Sequence, residues 1–406
     1  MPHNRLADTL AQEISELERS GTAKGDEYVI VDVLPPSGGL SRRYVLEGGP
    51  TGFLRMNSNS YLGMSHHPAV IDAEEEATSR FGAGPGAVRF ISGTYEPHVA
   101  LERRLADFHG RSGGIIYSSA YASVVPTLTS LISSETAVFS DELNHNCIIN
   151  GMRMSRPASR HVYDHLDYDG LDAALAAAAG ESKRALVVTD GVFSMRGDFA
   201  DLGRLAEIAR KHDDSFEENV VLVVDDSHGV GAFGQTGRGT EEVTDGRADV
   251  LIGTLGKAFG VNGGYVVADE VVIRYLRERG PMYIYSNPIT VGESAAAIAS
   301  IDVLDSGEGE SLLRHLEDMT EKFESGLVAL GLETIPGPHP VVPLMIRDTD
   351  ETTRYVKHLF DNGILATGLN FPVVPKGDEE IRFQINADHT SADIDYALSV
   401  LSEITR

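Results

Sequence analysis

The chain has 406 residues, 42% of them hydrophobic, and this length predicts a large folded domain with a smaller one attached. No apolar run approaches the roughly 20 residues needed to cross a bilayer, and the opening residues MPHNRLADTL lack the apolar segment of a signal peptide. The net charge of -27 argues against a protein that collects nucleic acid through a general positive field. We expect a cytoplasmic protein without membrane or nucleic-acid partners, which holds any phosphorylated ligand through local groups.

Residues 1–55 predict a helix followed by an irregular arm. Apolar residues recur at helical spacing from residue 4 to residue 20, which is typical of an amphipathic helix. Residues 21–55 are rich in Gly and Pro, and such segments favour irregular structure with short strands. This part of the chain therefore contributes little to the predicted core.

Residues 56–285 alternate between apolar β-branched runs and helical stretches, and we predict that they form the large domain. The apolar runs have no polar face, which indicates strands buried on both sides and therefore a mostly parallel α/β sheet. These runs are GGIIYS, TAVFSD, RALVVTDG, NVVLVVDD, ADVLIGT and GGYVVAD. Helical segments such as DLGRLAEIARKHD separate them.

Residues 286–406 predict connecting helices and a small C-terminal domain. Residues 288–331 have the pattern of long helices. Strands are then predicted at VVPLMI, ILATGL and EIRFQIN, and helices at 350–362 and 391–405. This mixture is typical of an α+β domain.

Acidic residues follow the strand NVVLVVDD. Asp225, Asp226 and His228 lie at its carboxyl end, where open α/β sheets bind their ligands. An acid there can pair with a cationic ligand group or cap a loop, and the sequence leaves both roles open. The glycines in GVGAFG match the dinucleotide pattern G-x-G-x-x-G only weakly, because the strand does not lead straight into them and they lie in mid-chain.

A lysine follows Asp225 by 32 positions, in the glycine-rich turn of ADVLIGTLGKAFG. This turn lacks the first glycine and the Ser or Thr of a P-loop. Lysine is usually a solvated surface residue, but between apolar strands desolvation lowers its pKa and frees its amine to form an imine. An acid beside a pyridine nitrogen and a lysine that carries an aldehyde are the two groups that pyridoxal phosphate requires. Asp225 and Lys257 are therefore the candidate pair.

The chain resembles the α-oxoamine synthases, pyridoxal-phosphate enzymes of fold type I that join an amino acid to an acyl thioester. Within that family it looks most similar to glycine C-acetyltransferase. The resemblance implies a PLP-dependent C-acyltransferase with a mostly parallel central sheet in a large domain and a small C-terminal α+β domain. The motifs that carry it are SNSYLG (58–63), VRFISGT (88–94), SDELNHNCIINGMR (140–153), TDGVFSM (189–195), VDDSHGVG (224–231), GTLGKAFG (253–260), YSNP (285–288), FPVVPKG (371–377) and IRFQINADHT (381–390).

For the cofactor, the resemblance implies that Lys257 forms the Schiff base and acts as the base, and that Asp225 pairs with the ring nitrogen. His145 stacks on the ring, His228 lies near the ring hydroxyl, and Ser194 lies beside the cofactor. No metal is expected. The residues implied at the phosphate are Ser119, Ala120, Tyr121 and Thr254, with Ser286 and Asn287 from the neighbouring subunit of a homodimer that shares its active sites.

For the substrates, the resemblance implies that Arg382 binds the amino-acid carboxylate and that Asn59 lies on the substrate side. The forked guanidinium suits a two-point carboxylate contact, whereas a surface ion pair is the alternative in so acidic a chain. Glycine is the first choice of amino acid and acyl-CoA of donor. Serine or alanine, a longer acyl chain and an acyl carrier protein stay open. An aldolase or aminotransferase of the same fold, or a regulatory protein without catalysis, are the alternatives to this function.

The chain departs from the family pattern at several positions. Val124 replaces a common Asn after the phosphate loop, and Arg196 stands where Asp is frequent. Glu380 replaces a basic residue two positions before the substrate arginine. Cys147, the only cysteine, stands where Ser is usual, and we expect it to pack as a small buried apolar group. These changes leave the cofactor residues in place and the identity of both substrates open.

Overall fold

The computed structural model describes residues 4–20, 22–23, 25, 27–49, 52–371 and 373–404. Helix α1 (Asn4–Arg19) opens the chain, and none of its described residues is buried. An antiparallel pair follows, β1 (Ile30–Leu34) with β2 (Arg43–Leu46), and then the short strand β3 (Leu54–Arg55). The prediction of a helix and an arm with short strands is confirmed.

A central sheet dominates the part of the chain that the structure describes. Its seven strands are β4 (Gly113–Tyr117), β5 (Thr136–Asp141), β6 (Ser159–Tyr163), β7 (Arg184–Asp190), β8 (Val220–Asp225), β9 (Val250–Thr254) and β10 (Gly264–Ala268). Their order is β4-β10-β9-β8-β7-β5-β6, and all adjacent pairs are parallel except those that β10 makes. The predicted mostly parallel α/β sheet is confirmed, and the edge strand β6 is the one that the sequence patterns did not reveal.

Helices cover both faces of this sheet. Alternate strand residues, such as Val187 and Val188, join two separate apolar cores because successive side chains of a strand point to opposite faces. Coverage on both sides explains why the strands have no polar face. The helices of this region are α2 (Pro68–Phe81), α3 (Glu96–Phe108), α4 (Tyr121–Leu131), α5 (Asn146–Met154), α6 (Tyr168–Ala177), α7 (Leu202–His212), α8 (Thr240–Thr244), α9 (Glu270–Arg279) and α10 (Pro281–Ile284), with shorter helical turns at Met64–His66, Arg89–Gly93 and Asp213–Ser215.

The C-terminal part contains the predicted long helices and a small antiparallel sheet. Its elements are α11 (Val291–Leu304), α12 (Gly307–Ala329), β11 (Val341–Met345), α13 (Thr349–Asp361), β12 (Ile364–Leu365), β13 (Thr367–Leu369), β14 (Glu380–Gln384) and α14 (Ser391–Ile404). The small sheet has the order β11-β14-β13, and β12 pairs with β3. The domain boundaries at residues 55 and 285 stay a prediction. Across the described ranges, no helix has the length and apolar character to cross a membrane.

The chain direction of the strands places several polar residues at one edge of the central sheet. Asp190, Asp225 and Thr254 are the last residues of β7, β8 and β9, and these three neighbouring strands are parallel. The glycine-rich loop after β8 forms turns rather than a helix, so the dinucleotide pattern in GVGAFG has no structural support. The carboxyl edge of β7 to β9 is therefore where the candidate site lies.

Candidate active site

Two adjacent acids at the end of β8 have different environments. The Asp225 carboxylate is buried, and its Oδ1 accepts hydrogen bonds from the Ser227 backbone N–H at 3.2 Å and the Ser227 hydroxyl at 2.5 Å. Asp226 accepts hydrogen bonds from the backbone N–H of Thr240 at 2.7 Å and from its hydroxyl at 2.6 Å. The sequence left ligand pairing and loop capping open for these acids. Asp226 is the loop-capping residue, and Asp225 lines a cavity.

This cavity brings together segments that are far apart in the sequence. It is lined by the starts of α4 and α5, the ends of β7 and β8 with the loops that follow them, and the turn after β9. The lining residues are Ala120, Tyr121, His145, Cys147, Asp190, Val192, Ser194, Asp225, Ser227, His228 and Lys257. Most of the predicted cofactor residues are therefore around one cavity, with Ser119 directly before Ala120 and Thr254 at the end of β9.

Lys257 is half-buried in the turn after β9. Its amine makes no hydrogen bond or ion pair with any described residue. Burial lowers the pKa of Lys257, and the negative charges of Asp225 and Asp190 only partly oppose this effect. The interpretation as a solvated surface lysine is wrong, and an amine in this environment is available as a nucleophile and base.

Asp190 is a second buried acid in the cavity, and it was not among the residues predicted from the sequence. It lies opposite Asp225 in the pairing of β7 with β8, and its Oδ2 accepts a hydrogen bond from the His145 backbone N–H at 2.7 Å. Burial raises the pKa of Asp190 well above its usual range, and the charge of Asp225 adds to the rise. The strand-end rule that selected Asp225 applies equally to Asp190 in TDGVFSM.

His145 caps the start of α5, and its imidazole remains exposed beside the cavity. Its Nδ1 lies 3.3 Å from the Cys147 backbone nitrogen and 2.9 Å from the Cys147 sulfur. Desolvation by the surrounding protein lowers the pKa of this partly covered histidine, although the charge of Asp225 opposes the fall. The ring is therefore neutral near pH 7 and free to stack on a planar ligand.

Two of the departures from the family pattern lie in the apolar core below this site. Val124 is fully buried there and does not line the cavity. Cys147 is 2% exposed, which confirms its predicted packing role. Its thiol also lies 3.5 Å from Oδ2 of Asp225, and burial raises the pKa of the thiol so that it stays protonated and donates to the carboxylate. The site thus contains a polar contact that the sequence did not predict.

A hydrogen-bonded chain connects the predicted residues His228 and Asn59. The hydroxyl of the fully buried Tyr61 lies 2.8 Å from Nδ1 of His228 and 3.4 Å from Oδ1 of Asn59. Burial lowers the pKa of His228 well below its usual range, and the positive charges of Lys257 and His339 add to the fall. His228 is therefore neutral. Tyr61 belongs to the quoted motif SNSYLG, but only its packing shows that it orients this histidine.

The start of α4 has free backbone donors beside the cavity. The N–H groups of Ala120 and Tyr121 make no hydrogen bond with a described residue, whereas Ala122 donates to the Ser119 hydroxyl at 3.1 Å. A helix start with free N–H groups attracts an anion such as a phosphate. The Thr254 hydroxyl donates to the Gly263 carbonyl oxygen at 3.2 Å, at the same end of the sheet.

Arg382 lies in the middle of β14 and reaches the loop that contains Ser194. Its Nη1 donates to the Ser194 carbonyl oxygen at 3.0 Å, and burial lowers its pKa. With the Gln384 amide turned so that its nitrogen faces the Met56 carbonyl, the Gln384 oxygen accepts from Nη2 of Arg382 at 3.0 Å. No carboxylate of a described residue lies within 4.0 Å of this guanidinium. The alternative of a surface ion pair is therefore wrong.

Comparisons with known proteins agree with this geometry. Residues 51–401 match the family described as aminotransferase class I and II. The 8-amino-7-oxononanoate synthase of Thermosipho melanesiensis is 36% identical over 396 residues, which cover 97% of this chain and 96% of that protein. The 8-amino-7-oxononanoate synthase 1 of Bacillus subtilis is 37% identical over 355 residues, covering 87% and 88%.

The chain belongs to the α-oxoamine synthases, a family of fold type I pyridoxal-phosphate enzymes. The predicted family, fold class, cofactor and enzyme class are thereby confirmed. A solved structure of serine palmitoyltransferase from S. paucimobilis, with bound PLP-myriocin, superposes with a TM-score of 0.86 at 27% sequence identity. The match covers 98% of this chain and 96% of that protein. The likeness to solved structures thus extends over both the large sheet and the C-terminal part.

The cavity of this α-oxoamine synthase fits pyridoxal phosphate at each end of the cofactor. The Lys257 amine, without a partner among the described residues, would take the aldehyde, the buried carboxylate of Asp225 would lie at the ring nitrogen, and the N–H groups at the start of α4, which no described residue accepts, would hold the phosphate. Ser286 and Asn287 do not line the cavity of their own chain. Their predicted place at the phosphate of a neighbouring subunit stays a prediction.

Gly264→Ala should weaken cofactor binding by about fivefold or more. A Cβ at Gly264 would lie 2.4 Å from the Ala120 nitrogen and 2.5 Å from the Ser119 carbonyl carbon, so the start of α4 must shift. Such overpacking costs about 1–3 kcal/mol, and about 1.4 kcal/mol corresponds to a tenfold change in affinity. Equilibrium dialysis of pyridoxal phosphate measures the effect. Gly84→Ala is the control, because no heavy atom lies within 4 Å of a Cβ there, and equal affinities in both variants would contradict the phosphate assignment.

Proposed function

We propose that this enzyme condenses a small amino acid, glycine first, with an acyl thioester of coenzyme A and releases a 2-amino ketone or 2-amino-3-keto acid. Membership of the α-oxoamine synthases supports this reaction class. The product named for its relatives carries an amino and an oxo group on adjacent carbons, as such a condensation requires. Alanine or serine, a longer acyl chain, and an acyl carrier protein as donor are the alternatives within the same reaction.

The single observation that carries the proposal is that the guanidinium of Arg382 has no carboxylate partner among the described residues. The chain has 61 acidic residues, yet none of the described carboxylates lies within 4.0 Å of this half-buried cation. A buried charge without a partner is costly, so an anionic ligand is expected to complete the site. The carboxylate of an α-amino acid matches the two-point geometry of the guanidinium.

In this proposal each residue of the site has a separate role in the reaction. Pyridoxal phosphate, when bound, supplies an electron sink for negative charge at the α-carbon of the amino acid. Arg382 binds the amino-acid carboxylate and so orients the α-carbon, and the Lys257 amine removes the α-proton and later returns a proton to the product. Asp225 holds a proton on the ring nitrogen through its buried negative charge. His145 covers one face of the cofactor and excludes water from it.

The neutral hydrogen-bonded pair of Tyr61 and His228 lies on the ring-hydroxyl side in this proposal. Because burial keeps the pKa of His228 low, it holds no positive charge that would repel the cofactor's pyridinium. Ser119 and Thr254 complete the phosphate site, and Ser286 with Asn287 reach the neighbouring site in a homodimer. The exposed side chains of Tyr285 and Asn287 support a surface that a second chain covers.

The test is a panel of the twenty amino acids against acyl thioesters of increasing chain length, with release of the free thiol as the measurement. We expect thiol release that requires both an amino acid and an acyl thioester, with glycine and acetyl-CoA as the best pair. Preference for alanine or serine, or for a long acyl chain, would change the assigned substrates and keep the condensation reaction. Conversion of the amino acid to a 2-oxo acid or an aldehyde without thiol release would instead support an aminotransferase or aldolase.

Arg382→Met should raise the KM for the amino acid at least thirtyfold. The charge pair in question joins Arg382 to the amino-acid carboxylate. Truncating one partner of a buried, hydrogen-bonded charge pair costs about 2–5 kcal/mol, and methionine offers the carboxylate no hydrogen-bond donor. Steady-state kinetics with varied amino acid and varied acyl thioester separate the two substrates, and the KM for the thioester should change little. Arg354→Met is the matched control, because Arg354 is an exposed arginine that pairs with Glu351 on α13. An unchanged amino-acid KM in the Arg382 variant would contradict the assignment.

A further inference from the structure

A buried glutamate begins the strand that carries Arg382. Glu380 is 2% exposed, its Oε1 has no hydrogen-bond partner, and its carboxyl makes no ion pair with any described residue. Glu380 and Arg382 are two positions apart on β14, so their side chains project from the same face of the small sheet. Buried polar groups almost always have a partner, so this carboxyl requires an explanation.

Four charged groups surround Glu380. They are Arg382 on its own strand, Asp378 just before that strand, and Arg196 with Asp198 in the loop after β7. Arg196 makes no ion pair with Glu380 in the described part of the chain, and its Nε donates to Oδ2 of Asp198 at 2.9 Å. The same Asp198 oxygen lies 3.2 Å from Nε2 of His165, so Asp198 is fixed from two sides. Arg196 is thus paired with Asp198, although its charge still lowers the pKa of Glu380, and Arg382 is the cation on the same face of β14 as Glu380.

The protonation state of Glu380 depends on this arrangement. Burial raises the pKa of Glu380 to about 8, although the charges of Arg382 and Arg196 oppose the rise. The carboxyl is therefore mostly neutral at pH 7 and is a hydrogen-bond donor as well as an acceptor. Above its pKa the carboxyl becomes an anion, and among the neighbouring cations Arg382 has the largest effect in favour of that form.

We propose that Glu380 determines how tightly the enzyme binds the amino-acid carboxylate: protonated, it donates a hydrogen bond to the carboxylate that Arg382 holds, and ionised, it occupies Arg382 itself and excludes that carboxylate. This inference rests on the proposed function, in which Arg382 is the carboxylate-binding residue. Glu380 is then a specificity-determining residue for an acidic substrate group. A neutral Glu380 also explains why Arg382 has no carboxylate partner among the described residues, although a buried carboxyl projects from the same face of its strand.

The affinity for the amino acid should fall as the pH rises. Rising pH ionises Glu380, the anion competes for Arg382, and the affinity for the amino acid falls. With a pKa of about 8, the ionised fraction predicts an affinity about tenfold lower at pH 9 than at pH 7 from this group alone. The amino group of the substrate also titrates in this range, so variants must be compared with the wild type at the same pH.

The experiment titrates the wild-type holoenzyme and its variants with glycine and with L-alanine by calorimetry at pH 7 and pH 9. Glu380→Gln keeps the donor but cannot ionise, so it should bind as the wild type does at pH 7 and about tenfold more tightly than the wild type at pH 9. Glu380→Leu removes both donor and charge. It should bind about tenfold more weakly than the wild type at pH 7, since a hydrogen bond to a charged group is lost.

Glu379→Gln is the matched control. It makes the same change one residue earlier, where the carboxylate accepts a hydrogen bond from the Gly377 backbone N–H at 2.9 Å. It should follow the wild type at both pH values. Methylamine, which has no carboxylate, should show no difference between the wild type and Glu380→Gln at either pH.

The outcomes separate this inference from the function on which it rests. Equal wild-type and Glu380→Gln affinities at pH 9, or a Glu380→Leu affinity equal to wild type at pH 7, overturn the role of Glu380 while leaving the proposed function intact. A wild-type holoenzyme that binds neither amino acid, or an Arg382→Met variant that binds them normally, overturns the proposed function and this inference with it.

Discussion

Lys257→Ala holoenzyme should release thiol at least a thousandfold more slowly than the wild type. The proposed reaction uses the same amine twice, as the nucleophile that bonds to the cofactor and as the base at the α-carbon, and a positioned acid or base alone contributes about 10²–10⁴-fold. The turn after β9 offers no second amine, because the other residues that line the cavity are not lysines. Thiol release under saturating substrates measures the loss, and borohydride reduction followed by peptide mapping checks the covalent attachment.

Lys183→Ala serves as the control for this variant. Lys183 is an exposed lysine whose amine pairs with Glu135 at 2.7 Å, so its loss should change neither turnover nor attachment. Added methylamine should partly restore turnover to Lys257→Ala, because a free amine can enter the space that the side chain vacates. Wild-type rates in Lys257→Ala would refute the central assignment.

Asp225→Ala should lower turnover at least a hundredfold and slow removal of the α-proton more than substrate binding. In the proposed mechanism its carboxylate keeps a proton on the cofactor nitrogen, and removing one fixed electrostatic group from an active site typically costs about 10²–10³ in rate. Two hydrogen bonds from Ser227 hold this carboxylate in place, whereas the neighbouring acid Asp190 accepts a hydrogen bond from the His145 backbone N–H. Single-turnover exchange of the α-proton in deuterated buffer is the measurement.

Asp226→Asn separates this electronic role from simple damage to the loop. Asp226 is fully buried and binds Thr240 through both carboxylate oxygens, and burial raises its pKa to about 7. We expect a loss of about 1–3 kcal/mol in the free energy of unfolding, because one buried hydrogen bond becomes unfavourable, and little change in turnover per folded molecule. Equal turnover losses in the Asp225 and Asp226 variants would show that loop integrity, rather than the charge at Asp225, is what matters.

Most of the central sheet could be predicted because its strands are uniformly apolar. The burial of all six residues of β5 and of almost all of β7 and β8 leaves a continuous hydrophobic run in the sequence. The edge strand β6 has the sequence SRHVY and alternates in exposure, so its pattern resembles a loop with scattered apolar residues. Edge strands form through pairing with a neighbour, here β5, and that partner is not visible in the local sequence.

The candidate site was predicted in part by a single rule, that ligands bind at the carboxyl ends of parallel strands. The rule selects Asp225. Most of the other predicted site residues come from the family resemblance and its motifs. The rule did not single out Asp190, although that acid also ends a strand, and it gave no reason to choose Tyr61. Their roles depend on distances to His145 and His228, residues more than forty positions away along the chain.

The sequence by itself determined the layered α/β architecture, the order of the elements and the set of residue types that pyridoxal phosphate requires, because periodicity and strand-end position are local properties. Only the tertiary structure decided which of two adjacent acids faces the cavity, since neighbouring side chains at a strand end point in opposite directions. It also decided that no described acidic residue pairs with Arg382 and that Glu380 lies buried on the same face. Charge pairing depends on which segments meet in space, and Arg382 meets Ser194 across 188 positions of the chain.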